Sequence, residues 1–389
     1  MIAIRQITMR EISLPLVEPF RTAAGEVASR RLLLVTLVDV DGISAWSECV
    51  AESLPGYAAD TVDTCWLAIS DWLAPRLLRQ AVDRAADAHA MLARNIRGHR
   101  MAIAALEMGV WELEASRRGE PLAKLLVDAS ELSGESVVQP RTQVDTGIAL
   151  GMKASPGELA SHAAAALAEG YRRIKIKIEP GRDLGELHAV REALGPGVPI
   201  TADANCSYSL DDPAHVRALD TMDGLGLAMI EQPLGYEDLE CHARLQRRLR
   251  TPICLDESIT SSARAEEMLA LGSARMLNLK PGRVGGLTEA VAIHDRCARA
   301  GVPVWCGGML ESGVGRAYNV ALASLPNFTE PGDLSPSARY WERDIVLPAW
   351  TMDDAGRVTV PLRRPGIGVD VDVARVDDLT TRVVTLRSP

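Results

Sequence analysis

Lys175 and Lys177 flank one isoleucine in Arg-Ile-Lys-Ile-Lys-Ile, and they open a series of charged residues at near-regular spacing. Side chains of a strand alternate between its faces, so both ammonium groups point the same way. Downstream, short apolar runs end in Asp203, Glu231, Asp256 and Lys280, at gaps of 26, 28, 25 and 24 residues. Asp and Glu offer hard oxygen ligands, and no His or Cys shares the register. That donor set points to Mg²⁺, with Mn²⁺ as the other hard dication. A carboxylate held on such a cation has a more acidic α-proton, and the enediolate left behind can be held by the metal and an ammonium. Lysine can act as the base when burial, a second lysine and a dication lower its pKa from about 10.4. Lys177 and Lys280 fall on the second and sixth strands of the count, so they approach a central substrate from opposite sides. Two such bases suit a 1,1-proton transfer, or deprotonation on one face with charge support from the other.

The spacing of the series is about one strand, one helix and two short loops, repeated. It predicts a parallel (β/α) barrel, where chemistry gathers at the C-terminal strand ends. Expected strands are Thr146–Leu150, Arg173–Ile178, Ile200–Ala204, Ala228–Glu231, Ile253–Leu255, Met276–Leu279 and Val304–Cys306, with helical stretches between them. An irregular eighth element near Pro326–Phe328 would close the barrel. Residues 1 to about 50 read as strands, with a turn at Asp41-Gly42, and Thr61 to about Leu126 reads as helices. The organisation expected is an α/β chain: an α+β capping domain over 1–130, a modified TIM-type (β/α)7β barrel over 131–346, and a tail from about 347 to 389 that returns to the cap. A lone Lys-x-Lys is usually a solvated face, and a lone acid after a strand is usually a helix cap. One register kept over about a hundred residues is harder to explain that way.

A net charge of −10, with no basic tail, argues against nucleic acid as a partner. Seven scattered cysteines without a CxxC pair fit a reduced cytoplasmic chain. No apolar stretch approaches the roughly 18 residues that span a bilayer, so no membrane partner is expected. The seven histidines fall in expected helices or cap segments, which disfavours a histidine base.

The chain resembles the enolase superfamily, whose Lys or His bases and magnesium-held ene-diolate are established for that group. Within it, the Lys-x-Lys strand and the later lone lysine resemble the muconate-lactonizing-enzyme subgroup. The nearest resemblance is to the o-succinylbenzoate synthase and N-succinylamino acid racemase family. It is carried by Pro19-Phe20-Arg21-Thr22, Gly98-His99-Arg100-Met101, Arg173–Pro180, Asp203-Ala204-Asn205, Ile230–Leu234, Leu255–Ser258, Lys280–Gly286 and Cys306–Gly313. The resemblance implies that Asp203, Glu231 and Asp256 bind Mg²⁺, that Lys177 and Lys280 are the acid/base pair, and that Lys175 stabilises the enolate. It further implies that Asn205 orients the substrate carboxylate and that Arg283 tunes Lys280. Gly307, Gly308 and Met309 would line the far end of the substrate through backbone groups, while Phe20, Arg21 and Tyr57 close over it from the cap. Two departures stand out: Ala24 where the family often has an aromatic, and Ala149 in place of a small polar residue.

The activity this implies is dehydration to o-succinylbenzoate, in menaquinone biosynthesis, and/or racemisation of N-succinylamino acids, both on a small carboxylate substrate. A homo-oligomer is a family expectation. Dipeptide epimerisation and muconate-type cycloisomerisation are the alternatives within enzymes. An epimerase would show Asp-x-Asp near the last strand, where Met309-Leu310-Glu311-Ser312 stands instead. A non-catalytic binding relative would lack a ligand or a lysine, and none is missing.

Overall fold

The computed structural model describes residues 1–22, 25–134 and 139–388. Strands β1 (Ile4–Thr22) and β2 (Gly25–Asp39) form a long antiparallel hairpin, and β3 (Ser44–Cys49) extends it beside β2. The helix Arg100–Arg118 packs on β2 and β3 and is buried from Met101 to Ala115. It is sandwiched between the sheet and the second unit, so an apolar stripe on one face alone would not serve it. Gly109 permits the close approach, since a Cβ there would stand 2.4 Å from Leu37 Cδ1.

A short strand, β4 (Gln143–Asp145), leads into seven parallel strands: β5 (Ile148–Leu150), β6 (Ile174–Lys177), β7 (Ile200–Asp203), β8 (Met229–Glu231), β9 (Ile253–Leu255), β10 (Met276–Leu279) and β11 (Val304–Cys306). They pair strictly with their sequence neighbours, as successive β-α units require. Helix starts between them follow capping chemistry. Ser155, Asp183, Asp212, Asp238 and Ser261 each accept a hydrogen bond from a first-turn amide. The closing element is irregular and runs from the expected Pro326–Phe328 on to Asp333. Val304 N donates to Asn327 O (3.2 Å) on one side, and Gly147 N donates to Gly332 O (2.7 Å) on the other.

The tail divides. Strand β12 (Val346–Leu347) pairs with β14 (Asp370–Val371), whereas β13 (Arg357–Thr359) pairs with β4 at the barrel. Only β15 (Thr380–Arg387) enters the N-terminal sheet, antiparallel to β1. Among the described residues no helix is long and apolar enough to cross a membrane, and all seven cysteines are free thiols.

Candidate active site

Alternation along the barrel strands sorts their inward residues into layers. The lower layer holds Met229, Cys254, Met276 and Trp305, which form one buried apolar cluster. Two residues further along β8, the same face carries Glu231, and two beyond Cys254 it carries Asp256. The same step on β6 gives Arg173, Lys175 and Lys177, a cationic stripe that rises from buried to half-buried. Register fixes the heights: Lys175 lies beside Thr201, Lys177 beside Asp203, and Asp203 beside Glu231.

The ammonium and carboxylate groups meet directly. Lys177 Nζ donates to Asp203 Oδ2 (2.7 Å) and to Asn205 Oδ1 (2.6 Å). Lys175 Nζ lies 2.7 Å from Asp333 Oδ2, 3.2 Å from Glu231 Oε2 and 3.4 Å from Asp203 Oδ2. Across the barrel, Lys280 Nζ donates to Asp256 Oδ2 (2.8 Å). Lys177 and Lys280 thus stand on strand ends four places apart in the sheet order, each against a different carboxylate.

Loop geometry holds these groups. Asn205 (φ 40°), Cys206 (φ 66°) and Gln232 (φ 37°) turn left-handed just after Asp203 and Glu231, a conformation that non-glycine residues keep only under constraint. Gln232 Oε1 accepts from Asp256 N (3.0 Å) and Ser258 N (3.2 Å), tying the β8 loop to the β9 loop. Asn278 Nδ2 donates to Glu231 Oε1 (2.7 Å). From the cap, Tyr57 OH donates to Asp256 Oδ1 (2.8 Å), and its ring lies 4.4 Å from Lys280 Nζ. Arg283 pairs with the same carboxylate oxygen and donates to Tyr57 OH (3.2 Å) and Ile259 O (2.7 Å).

Charge sets the protonation. Burial would strip Lys280 of its proton, but Asp256 outweighs it and holds the pKa well above the usual lysine range, while Arg283 pulls the other way. Lys175 behaves alike: burial lowers its pKa and Asp333, Glu231 and Asp203 raise it further. Burial raises Asp203, yet Lys177 and Lys175 bring it below the usual carboxylate range. Glu231 is pushed up to about 8 by burial and by repulsion from Asp203. For Lys175 and Lys280 the expected lowering is reversed here, because each ammonium meets carboxylates at contact distance.

Comparison with known proteins bears on this constellation. Residues 4–127 match the family described as mandelate racemase / muconate lactonizing enzyme, N-terminal domain, and residues 158–375 match the one described as enolase C-terminal domain-like. The chain belongs to the mandelate racemase / muconate lactonizing enzyme family of the enolase superfamily. It is 45% identical over 379 residues to the o-succinylbenzoate synthase of Geobacillus kaustophilus, covering 97% of this chain and 96% of that protein. It is 42% identical to the N-succinylamino acid racemase of an Amycolatopsis species, covering 98% and 99%. A solved enolase-superfamily member from Listeria innocua superposes with a TM-score of 0.91 at 35% identity, over the whole of both chains.

In this member of the family, Asp203, Glu231 and Asp256 are almost fully buried on neighbouring strand ends. Among the described residues, no three acidic, histidine or cysteine side chains already close into a metal cage. Like charges repel, and here each carboxylate turns to an ammonium instead. The donor set still fits a hard dication, for it is all oxygen, and Glu231 Oε2 is buried without a hydrogen bond.

The other expected residues divide. Asn205 accepts from Lys177 and donates from Nδ2 to Glu257 Oε1 (2.9 Å), so it holds the Lys177 ammonium in place. Arg283 is buried, not part of a surface pair. Ala149 is paired in register with Lys175 and shares its inward face. Gly307 lies against Lys280, where a Cβ would come within 2.5 Å of Lys280 Cε. Gly308 packs on Asp333 O. Met309 N donates to Glu311 Oε1 (2.8 Å), so this amide is already engaged within the chain. The side chains of Phe20 and Arg21, and all of Ala24, lie outside the described residues. Met309–Ser312 follows β11, and the irregular closing element beyond it carries Asp333-Leu334-Ser335, which again is not Asp-x-Asp.

Four residues of the site escape the sequence reading. Arg173 could have been found, since it extends the Lys-x-Lys alternation by one step. Glu257 follows Asp256, and its carboxyl, pushed up to about 7 by burial and by Asp256, faces Asn205. Asn278 and Asp333 sit in runs with no distinguishing pattern.

Proposed function

We propose that the chain abstracts the proton α to a carboxylate and passes through an enediolate. Its product is o-succinylbenzoate by dehydration, a racemised N-succinylamino acid, or both. One observation carries this reading: two lysines, each beside its own carboxylate, on opposite sides of a barrel mouth, with a third lysine between the acids. Whichever of Lys177 and Lys280 has a neutral Nζ takes the α-proton from its own side and becomes an ammonium, and in racemisation the other, starting as an ammonium, returns a proton to the opposite face. Lys175, buried and held as an ammonium, supports the negative charge that develops. Arg283 shares Asp256 with Lys280 and so weakens the hold of that carboxylate on the base.

Asp203, Glu231 and Asp256 are the residues that would hold Mg²⁺, the cation that the superfamily generally uses, or Mn²⁺. Bound there, the cation supplies charge that steadies the substrate carboxylate as its α-proton becomes acidic. Relatives named for both reactions fit this reading. The closing element, with Asp333-Leu334-Ser335, gives no support to a dipeptide epimerase. The partner proposed is a small carboxylate, not nucleic acid or membrane. The free thiols suit a reducing cytoplasm, a homo-oligomer is the family expectation, and dehydration would place the chain in menaquinone biosynthesis.

The test is turnover by the purified protein with Mg²⁺, on the cyclohexadiene precursor of o-succinylbenzoate and on a panel of N-acylamino acids. Activity on either class that a chelator removes and Mg²⁺ restores supports the reading. Activity indifferent to the chelator overturns the metal assignment, and inactivity on both classes overturns the substrate class.

A further inference from the structure

Asp333 closes the barrel and is 5% exposed. Its two oxygens each hold one cation of the β6 stripe. Arg173 Nη2 donates to Oδ1 (2.6 Å), and Lys175 Nζ lies 2.7 Å from Oδ2. Both partners of Asp333 are anchored in turn. The Arg173 guanidinium lies over the Trp305 ring at 3.9 Å, and Lys175 Nζ is 4.8 Å from the same ring. The backbone of Asp333 is fixed on both sides, since its N–H donates to Cys306 O (2.8 Å) and its carbonyl accepts from Arg316.

Position along the strands gives this pair a direction. Asp203 and Glu231 sit at the height of Lys177, one inward step above Lys175. Arg173 sits one inward step below. Asp333, shared between Arg173 and Lys175, therefore draws the Lys175 ammonium away from the layer of Asp203 and Glu231. The distances agree: the contact to Asp333 is shorter than those to Glu231 and Asp203, at 3.2 and 3.4 Å. An ammonium seated on those two carboxylates would occupy the oxygens that a dication needs.

We infer that Asp333 is a positioning residue that keeps Lys175 from competing with the divalent cation for Asp203 and Glu231. This rests on the metal reading given above. The role is one of placement, and Asp333 itself touches neither substrate nor metal in this assignment.

Mg²⁺ binding to the full chain, measured by titration calorimetry without substrate, tests it. Asp333→Asn keeps the shape and removes the charge. It should weaken Mg²⁺ binding roughly 10- to 100-fold, the range for partners that orient metal ligands. In a Lys175→Met background the same substitution should cost less than about threefold, because the competitor is gone. Lys175→Met alone should bind Mg²⁺ at least as tightly as the wild type, a result that does not depend on how the Asp333 variant folds. Equal losses from Asp333→Asn in both backgrounds would overturn this inference alone, by showing a field or folding effect. Weaker binding in Lys175→Met would do the same. No Mg²⁺ binding by the wild type would overturn the metal reading and this inference with it.

Discussion

Glu107 gives a prediction that joins the cap to the loop bearing Lys280. It lies in the buried helix Arg100–Arg118, and its carboxylate accepts from Leu287 N (2.8 Å), Thr288 N (2.9 Å), Thr288 Oγ1 (2.5 Å) and Trp111 Nε1 (2.7 Å). The helix Leu287–Arg299 has no side-chain cap of its own, because its first flanking residue is Gly286. A side chain from the other unit therefore caps it. Gly286 is required for the approach: at φ 123° a Cβ would stand 2.2 Å from Glu107 Oε2. Between Lys280 and this helix lie only the short turn Pro281–Val284 and two glycines, so the cap also anchors the segment that carries Lys280 and Arg283. Glu107→Ala leaves two backbone amides without acceptors, while Trp111 Nε1 keeps Thr288 Oγ1 at 3.3 Å. At about 1–3 kcal/mol for each orphaned buried donor, the loss from the two amides should be roughly 2–6 kcal/mol. That is a large part of the 5–15 kcal/mol typical of a folded domain. Urea unfolding followed by circular dichroism reads the loss. Hydrogen exchange by mass spectrometry should show faster exchange in 280–290, and kcat should fall with it. A variant within about 1 kcal/mol of wild type, with unchanged exchange in that segment, would refute the reasoning.

Two further outcomes follow from the same geometry. Gly307→Ala should preserve the fold but displace Lys280 and Asn278, whose atoms lie 2.5 and 2.3 Å from the added carbon. A misplacement near 1 Å costs on the order of 100-fold in rate, so kcat measured beside an unchanged circular dichroism spectrum checks it. The Glu48 carboxyl, buried between β3 and the helix Gly313–Ala323, is pushed up to about 8 by burial, against the pull of Ser312 Oγ at 2.5 Å. A raised folded-state pKa means stability that is full below about 4.5 and declines until pH passes about 8. The Tm should accordingly fall from pH 5 to pH 9, and Glu48→Gln should flatten that slope; an unchanged slope would contradict the assignment.

Much of the site is legible in the chain because barrel strands end where apolar runs meet a charge. Lys177, Asp203, Glu231, Asp256 and Lys280 each mark such an end, and period-2 alternation fixes their common inward face. Helix starts are equally plain, since Ser155, Asp212 and Ser261 cap them locally. What is not legible is held by long-range contact. Asp333 belongs to a closing element with no regular pattern, joined by isolated bridges. Glu107 and Glu48 are acids in runs that show no functional spacing, and their partners lie far along the chain. Tyr57 meets Asp256 across 199 positions, a separation that only the folded cap brings to zero. The division of the tail between barrel and cap is likewise a matter of pairing, not of local pattern.

The central claim is that Lys177 and Lys280 serve opposite faces of one α-carbon. Solvent-deuterium exchange into each enantiomer of an N-succinylamino acid, with Mg²⁺, tests it most directly. Wild type should exchange and interconvert both enantiomers. Lys177→Ala and Lys280→Ala should each fail to racemise, yet each should still exchange the α-proton of one enantiomer, and not the same one. Racemisation at a near-wild-type rate in either variant, or exchange of the same enantiomer by both, would contradict the two-face assignment.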